Sequence, residues 1–234
     1  MCPERSKTTR ILIVDRHPIV HFGLSQLINQ EPDMCVSGTV SGMTEALQIV
    51  ESGEVDLIVA GVSLKDGSGM DLIKHVKAKF DKLPVLVFSM LDEPLFAERM
   101  LHAGALGYVT KNEPVGKILA AIRRVLEGDV YVSEPIVRQL LRYQGPAPAD
   151  CRHTFFRTLT DRELEVYNLI GSGKSNREIA TFLHINVKTV ETHCAHIIKK
   201  LKLEGMSGLT RDASSWFRHM GEAGPTPLSL HEKR

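Results

Sequence analysis

The chain has 234 residues, 43% hydrophobic and 24% charged, which is room for one large domain or two modest ones of ordinary globular composition. No apolar run approaches the roughly 20 residues of a membrane span, and the polar start lacks a signal-peptide core, so a cytoplasmic location is expected. The net charge of +1 conceals an uneven spread: residues 1–130 carry 14 Lys/Arg against 17 Asp/Glu, a net of −3, whereas residues 151–220 carry 11 against 7, a net of +4.

The first half alternates strand and helix patterns. Ile11-Leu-Ile-Val-Asp15 is a short apolar run ending in an acid, as a buried parallel strand requires, and similar runs recur at 34–40, 56–60, 85–89 and 107–109. Amphipathic stretches at 20–29, 43–51, 70–79, 95–101 and 115–127 fall between and after them. Five strands alternating with five helices predict an α/β fold with a doubly wound five-stranded parallel sheet over residues 1–130. Sites in such sheets lie at the carboxyl ends of the strands, which directs attention to Asp15, Arg16, Gly61, Ser89 and Lys111.

Residues 131–156 read as a linker, with a short helix at 133–142 and the extended stretch Gln144-Gly-Pro-Ala-Pro-Ala-Asp150. From 157 to 220 the pattern is all helical. Thr160-Asp-Arg-Glu163 and Ser175-Asn-Arg-Glu178 fit capping boxes, Asn186 is a third N-cap ahead of a helix over 187–202, and a fourth helix is expected over about 207–219. The tail, 221–234, with Pro225 and Pro227, is expected to be disordered. Cys2, Cys35, Cys151 and Cys194 are scattered and contain no Cys-x-x-Cys pair, which favours reduced, structurally incidental thiols.

Two short helices joined by a short turn form a helix-turn-helix pattern, whose second helix would enter the DNA major groove. At 100° per residue, Val187, Val190, Cys194, Ile197, Ile198 and Leu201 share one inward stripe. The opposite face carries Lys188, Thr192, Ala195, His196 and Lys199, flanked by Thr189, Glu191, His193 and Lys200. Lysines there could neutralise phosphates while short side chains allow close approach to base edges. Lys174, Ser175 and Asn176 open the preceding helix, where free amides and the dipole could hold a phosphate. The same face could also be simply solvated. His193 and His196 beside Cys194 lack the further ligands that zinc requires, so neither metal nor cofactor is expected.

Leu159-Thr-Asp-Arg-Glu-Leu-Glu-Val166, Gly173-Lys-Ser-Asn-Arg-Glu-Ile-Ala180, Val187-Lys-Thr-Val-Glu-Thr-His193 and Lys199-Lys-Leu201 closely resemble the LuxR-type helix-turn-helix domain. Ile11-Leu-Ile-Val-Asp-Arg-His-Pro18, Leu64-Lys-Asp-Gly-Ser-Gly69, Val85-Leu-Val-Phe-Ser-Met90 and Ala103-Gly-Ala-Leu-Gly-Tyr-Val-Thr-Lys111 resemble the receiver domain of response regulators. Together the two halves resemble the NarL/FixJ family. The resemblance implies a four-helix domain binding double-stranded DNA as a homodimer, with a kinase or another signalling protein as a further partner.

It also implies a phosphoacceptor carboxylate after the third strand and two magnesium-binding acids after the first. On that alignment Gly61 occupies the acceptor position and Arg16 the second metal position, while Asp15, Ser89 and Lys111 remain and Tyr108 takes the place of the aromatic switch. The expectation is an atypical receiver that escapes aspartyl phosphorylation, with Arg16 pairing to Asp15. Asp66 and Ser63 are candidate substitute acceptors, and Tyr108 is either an interface residue or a partly buried edge aromatic. The leading function is transcription regulation by sequence-specific DNA binding. The alternative is a signalling adaptor with vestigial DNA contact. An enzyme is not expected, since the sequence contains no phosphate loop, nucleophile elbow or metal cluster.

Overall fold

The structure is a computed structural model, and it describes residues 8–90, 93–134, 136–137, 158–183 and 185–221. Residues 1–7, most of the expected helix at 133–142, the linker stretch 144–150 and the tail from 222 lie outside the described residues. The chain divides into two compact units, Met1–Pro148 and Ala149–Arg234.

The first unit runs β1 (Thr9–Val14), α1 (Pro18–Asn29), β2 (Met34–Val40), α2 (Met43–Glu51), β3 (Leu57–Ala60), α3 (Gly69–Lys79), β4 (Val85–Ser89), α4 (Glu93–His102), β5 (Gly107–Thr110) and α5 (Gly116–Leu126). All strand pairs are parallel, in the order β2-β1-β3-β4-β5, so the predicted doubly wound sheet is observed. The order reverses between β1 and β3, and the carboxyl ends of these two strands form the crevice where such sheets bind ligands. β1 and β3 are buried along their lengths apart from the first residues of β1, while β2 alternates half-buried and exposed positions towards its end, as an edge strand does. Ile11, Ile13, Leu57, Val59, Leu86 and Val109 turn to one face and meet Leu24 and Ile28 of α1 and Ile118, Ile122 and Val125 of α5. Each such side chain contributes roughly 1.5–3 kcal/mol when fully buried.

Local chemistry explains where the elements begin. α1 starts at Pro18, two residues before the expected point, because proline at the first helical position has a preset φ and no amide to satisfy. α3 starts under Ser68, whose Oγ accepts from the Asp71 amide at 3.1 Å. Asp56 falls outside β3, its carboxylate being drawn to Arg10: Oδ2 accepts from the Arg10 amide at 2.8 Å and from Nε at 3.1 Å. Cys35, buried on β2, is disulfide-bonded, which corrects the expectation of reduced thiols at that position; Cys194 is free and buried. Ordered packing also continues past residue 130. Tyr131 forms a parallel bridge with Gly107, and Ile136 is buried.

The second unit contains α6 (Asp161–Gly171), α7 (Asn176–Leu183), α8 (Val187–Leu201) and α9 (Gly205–Gly221). All three predicted caps are present. Thr160 and Glu163 form a reciprocal capping box, Ser175 and Glu178 form another, and Asn186 Oδ1 accepts from the Thr189 amide at 2.8 Å. α9 begins two residues before the expected start, at Gly205, whose φ of 68° suits glycine. α6 and α9 approach closely at Gly171, where a Cβ would lie 2.8 Å from the Ala213 carbonyl oxygen. Tyr167 Oη donates to Asp212 Oδ2 across the same interface at 2.8 Å. Among the described residues no helix is long and apolar enough to cross a membrane.

Candidate functional site

The third helix of the second unit presents the expected faces. Val190, Cys194 and Ile197 are buried, with Val187, Ile198 and Leu201 half-buried beside them. Lys188, Glu191, Thr192, Ala195, His196 and Lys199 are exposed, and Thr189 and His193 are half-buried. Thr189 is drawn into the cap, where both its amide and its hydroxyl donate to Asn186 Oδ1. The Thr192 hydroxyl donates back to the Lys188 carbonyl at 2.9 Å, which leaves its methyl group and oxygen lone pair facing outward.

Lys200 departs from the expected set of outward cations. Its ammonium lies 2.6 Å from Glu163 Oε2, and that carboxylate is buried and also caps α6 by accepting from the Thr160 amide at 2.7 Å. Lys200 thus ties α8 to α6. His196 Nδ1 approaches the same carboxylate at 3.7 Å. A second tie runs through Arg162, which pairs with buried Glu165 at 2.6 Å and donates to the Leu183 carbonyl at the end of α7 at 2.8 Å. These two buried glutamates hold the pair α7 and α8 on α6. The sequence marked Glu163 only as a cap, because its second role depends on where α8 crosses α6.

At the start of α7, Lys174 and Asn176 are half-buried and Ser175 is exposed. The Lys174 ammonium lies 5.8 Å from the Phe182 ring centroid. The Ser175 amide, expected to be free for a phosphate, instead donates to Glu178 Oε2 at 2.8 Å. Burial lowers the pKa of His193, and neighbouring Arg162 adds to this against the opposing pull of Glu163. The imidazole is held neutral further into acid than a free histidine.

At the carboxyl ends of the strands in the first unit, Asp15 is 3% exposed and both its oxygens are engaged. Oδ2 accepts from the Lys111 ammonium, and Oδ1 lies 2.8 Å from both the His17 amide and His17 Nδ1. This corrects the expected pairing of Asp15 with Arg16, since Lys111 and His17 take the carboxylate. Burial lowers the Lys111 pKa, with Arg16 assisting, and Asp15 resists the change. The Lys111 amide also donates to the Ser89 carbonyl at 2.7 Å, joining β5 to β4 at the pocket floor, and the Ser89 side chain is buried.

Gly61 follows β3, and a Cβ there would sit 2.7 Å from Asp15 Oδ2. Magnesium does not fit the donor set among the described residues, because the Asp15 carboxylate is already paired with an ammonium and Arg16 stands beside it. Among the described residues no group of three or more His, Cys, Asp or Glu could hold a metal. Asp66 is committed elsewhere: its carboxylate accepts from the Met43 and Thr44 amides at 2.5 and 3.1 Å, capping α2 in place of a side chain at Gly42. Tyr108 is 0% exposed, so its ring is neither a surface contact nor a partly buried edge aromatic; its amide donates to the Tyr131 carbonyl.

Known proteins share this organisation. The family described as response regulator receiver domain matches residues 11–123, and that of bacterial regulatory proteins, luxR family, matches residues 157–213. The chain is 34% identical over 208 residues to the oxygen regulatory protein NreC of Staphylococcus carnosus, covering 87% of this chain and 96% of that protein. It is 32% identical over 209 residues to NreC of Staphylococcus epidermidis, with the same coverage. RcsB from Salmonella enterica serovar Typhimurium, solved bound to promoter P1flhDC with the phosphomimetic BeF3-, is 25% identical with a TM-score of 0.60, over 89% of this chain and 99% of that one. A LuxR-family two-component response regulator from Aurantimonas sp. SI85-9A1 is 29% identical with a TM-score of 0.55, over 58% of this chain and 98% of that one.

Proposed function

Because the chain belongs to the two-component response regulators that join a receiver domain to a LuxR-type helix-turn-helix, and is thus a DNA-binding transcription regulator, we propose that it works without aspartyl phosphorylation. The observation that carries this reading is the pocket at β1 and β3, where Gly61 supplies no carboxylate and Asp15 is already neutralised by Lys111. In-line attack on a phosphoryl donor needs a nucleophile at one position with metal opposite it, and neither is available in this donor set. A signalling partner of this domain, a kinase included, then acts by binding rather than by phosphoryl transfer.

DNA is read by the exposed face of α8. Lys188 and Lys199 neutralise phosphates, and Glu191, Thr192, Ala195 and His196 meet base edges, with Thr189 and His193 set at its flanks. Lys174, Ser175 and Asn176 approach the backbone at the start of α7, where Lys174 supplies the charge. The chain binds paired half-sites as a homodimer, in keeping with solved RcsB dimers on DNA.

The test is selection of binding sequences from a random duplex pool with unmodified protein. Enrichment of a paired half-site is the expected result. Enrichment that appears only after treatment with acetyl phosphate and magnesium, with stoichiometric label on one residue, overturns the reading.

A further inference from the structure

A cavity of about 250 Å³ opens between α1 and the start of α5, closed inwardly by the ends of β4 and β5. Its walls are mainly apolar, from Leu24 and Leu27 on α1, Phe88 and Val109 on the sheet and Ile118 on α5. Gly23 lies in the lining, and a Cβ added there would meet nothing within 4 Å. An apolar cavity of about 150 Å³ stays dry and binds benzene, so this volume suits a fused bicyclic ring of about ten heavy atoms.

Two charged residues line the space, and they oppose each other. The Lys111 ammonium is turned to Asp15, leaving its stem and the Phe88 ring, 5.6 Å from Nζ, as wall. Glu113 is half-exposed and discourages an anion. An anionic occupant would meet Glu113 and a cationic one would share the lining with Lys111, so neither sign of charge is favoured over a neutral occupant. Thr110, also in the lining, carries a hydroxyl capable of one directed hydrogen bond.

We propose that this cavity binds an uncharged, mainly apolar small molecule the size of a fused bicyclic ring, with one polar group that meets Thr110. A few directed polar groups in an otherwise apolar, preformed concavity are the usual composition of ligand sites. The site does not depend on how α8 reads DNA or on the state of Gly61. It does adjoin the strand ends, because an occupant against Phe88 touches the residue before Ser89, whose carbonyl accepts from the Lys111 amide.

The test uses the full chain and three probes of one shape: 2-naphthol, 2-naphthoate and 2-naphthylmethylamine, titrated by calorimetry and by amide NMR shifts. Saturable binding of 2-naphthol is expected with a dissociation constant of roughly 0.1–1 mM, the range open to so small a ligand, and with shifts at Gly23, Val109 and Thr110. Gly23→Leu puts a good helix former into open space and should weaken binding by about tenfold while leaving the melting temperature unchanged or slightly raised. Gln26→Leu, exposed on the same helix and outside the cavity, should leave binding unaltered. No saturable 2-naphthol binding, equal binding by Gly23→Leu, or tighter binding of either charged probe overturns the proposal. So does a change of oligomeric state in Gly23→Leu without probe binding, which would assign Ile19 and Phe22, 74% and 65% exposed beside the mouth, to a protein partner.

Discussion

Glu163 and His193 sit within one small network on α6 and α8, and both lower stability in acid, over different pH ranges. Burial by itself would raise the Glu163 pKa, but the Lys200 ammonium and the Thr160 donors outweigh it and hold the carboxyl below the ordinary 4.5. A depressed carboxyl contributes stability that is present above its unfolded value and is lost as pH falls through the folded one. His193 is also depressed, from 6.5, by burial first and Arg162 next, so the unfolded chain takes up its proton before the folded one does. Stability therefore falls as pH drops from 6.5 towards the folded value and then levels off. Thermal melts of the chain against pH should show a loss beginning near 6.5 that His193→Gln removes. A further loss beginning near 4.5 should be diminished by Glu163→Gln. A single unaltered transition in both variants would contradict the assignment.

At the scale of the element, α8 divides its lysines between two tasks. Lys188 and Lys199 are exposed, while Lys200 is bound to Glu163. Substituting Lys188 or Lys199 with alanine should weaken DNA binding across sequences and reduce the slope of log K against log salt by about 1 each, with the melting temperature kept. Lys200→Ala should do the reverse. It leaves Glu163 buried with one partner fewer, so destabilisation of about 2–3 kcal/mol is expected by urea titration, with little change in salt slope. Gly171→Ala probes the other side of the same scaffold. Its Cβ would press on the Ala213 carbonyl and should cost about 1–3 kcal/mol as α6 and α9 are forced apart.

Elements were more legible in the sequence than the partners of individual side chains. The alternation of apolar runs placed β2, β4 and α2 at their observed bounds, because burial period and end signals coincide there. The caps at Thr160, Ser175 and Asn186 were readable since their bonds span only three residues. Lys200 looked like a phosphate contact because a helical wheel shows its angle and not the carboxylate of another helix, 37 residues away in sequence. Arg16 looked like the partner of Asp15 because it is adjacent, while Lys111, 96 residues on, is brought there by the order of strands β1, β3, β4 and β5. Tyr108 read as an edge residue because nothing local announces that Tyr131 returns alongside β5.

For the molecule as a whole, the pocket at β1 and β3 bears on how the two halves communicate. If phosphorylation is not the input, acetyl phosphate with magnesium should change neither the mobility of the chain on a phosphate-retarding gel nor its affinity for a selected operator. Gly61→Asp should also remain unlabelled, because the added Cβ would fall 2.7 Å from the Asp15 carboxylate, which Lys111 and His17 hold in place. Label appearing in that single variant would show that Asp15 yields more readily than its bonds imply.

The same crowding couples the groups of the pocket to one another. A carboxylate at 61 requires Asp15 to move, moving Asp15 strands the buried Lys111 charge, and a metal would still meet Arg16. Each such change made alone would cost stability before another could offset it. The pocket therefore acts as a ratchet: its charges are easier to leave as they stand than to rearrange one at a time.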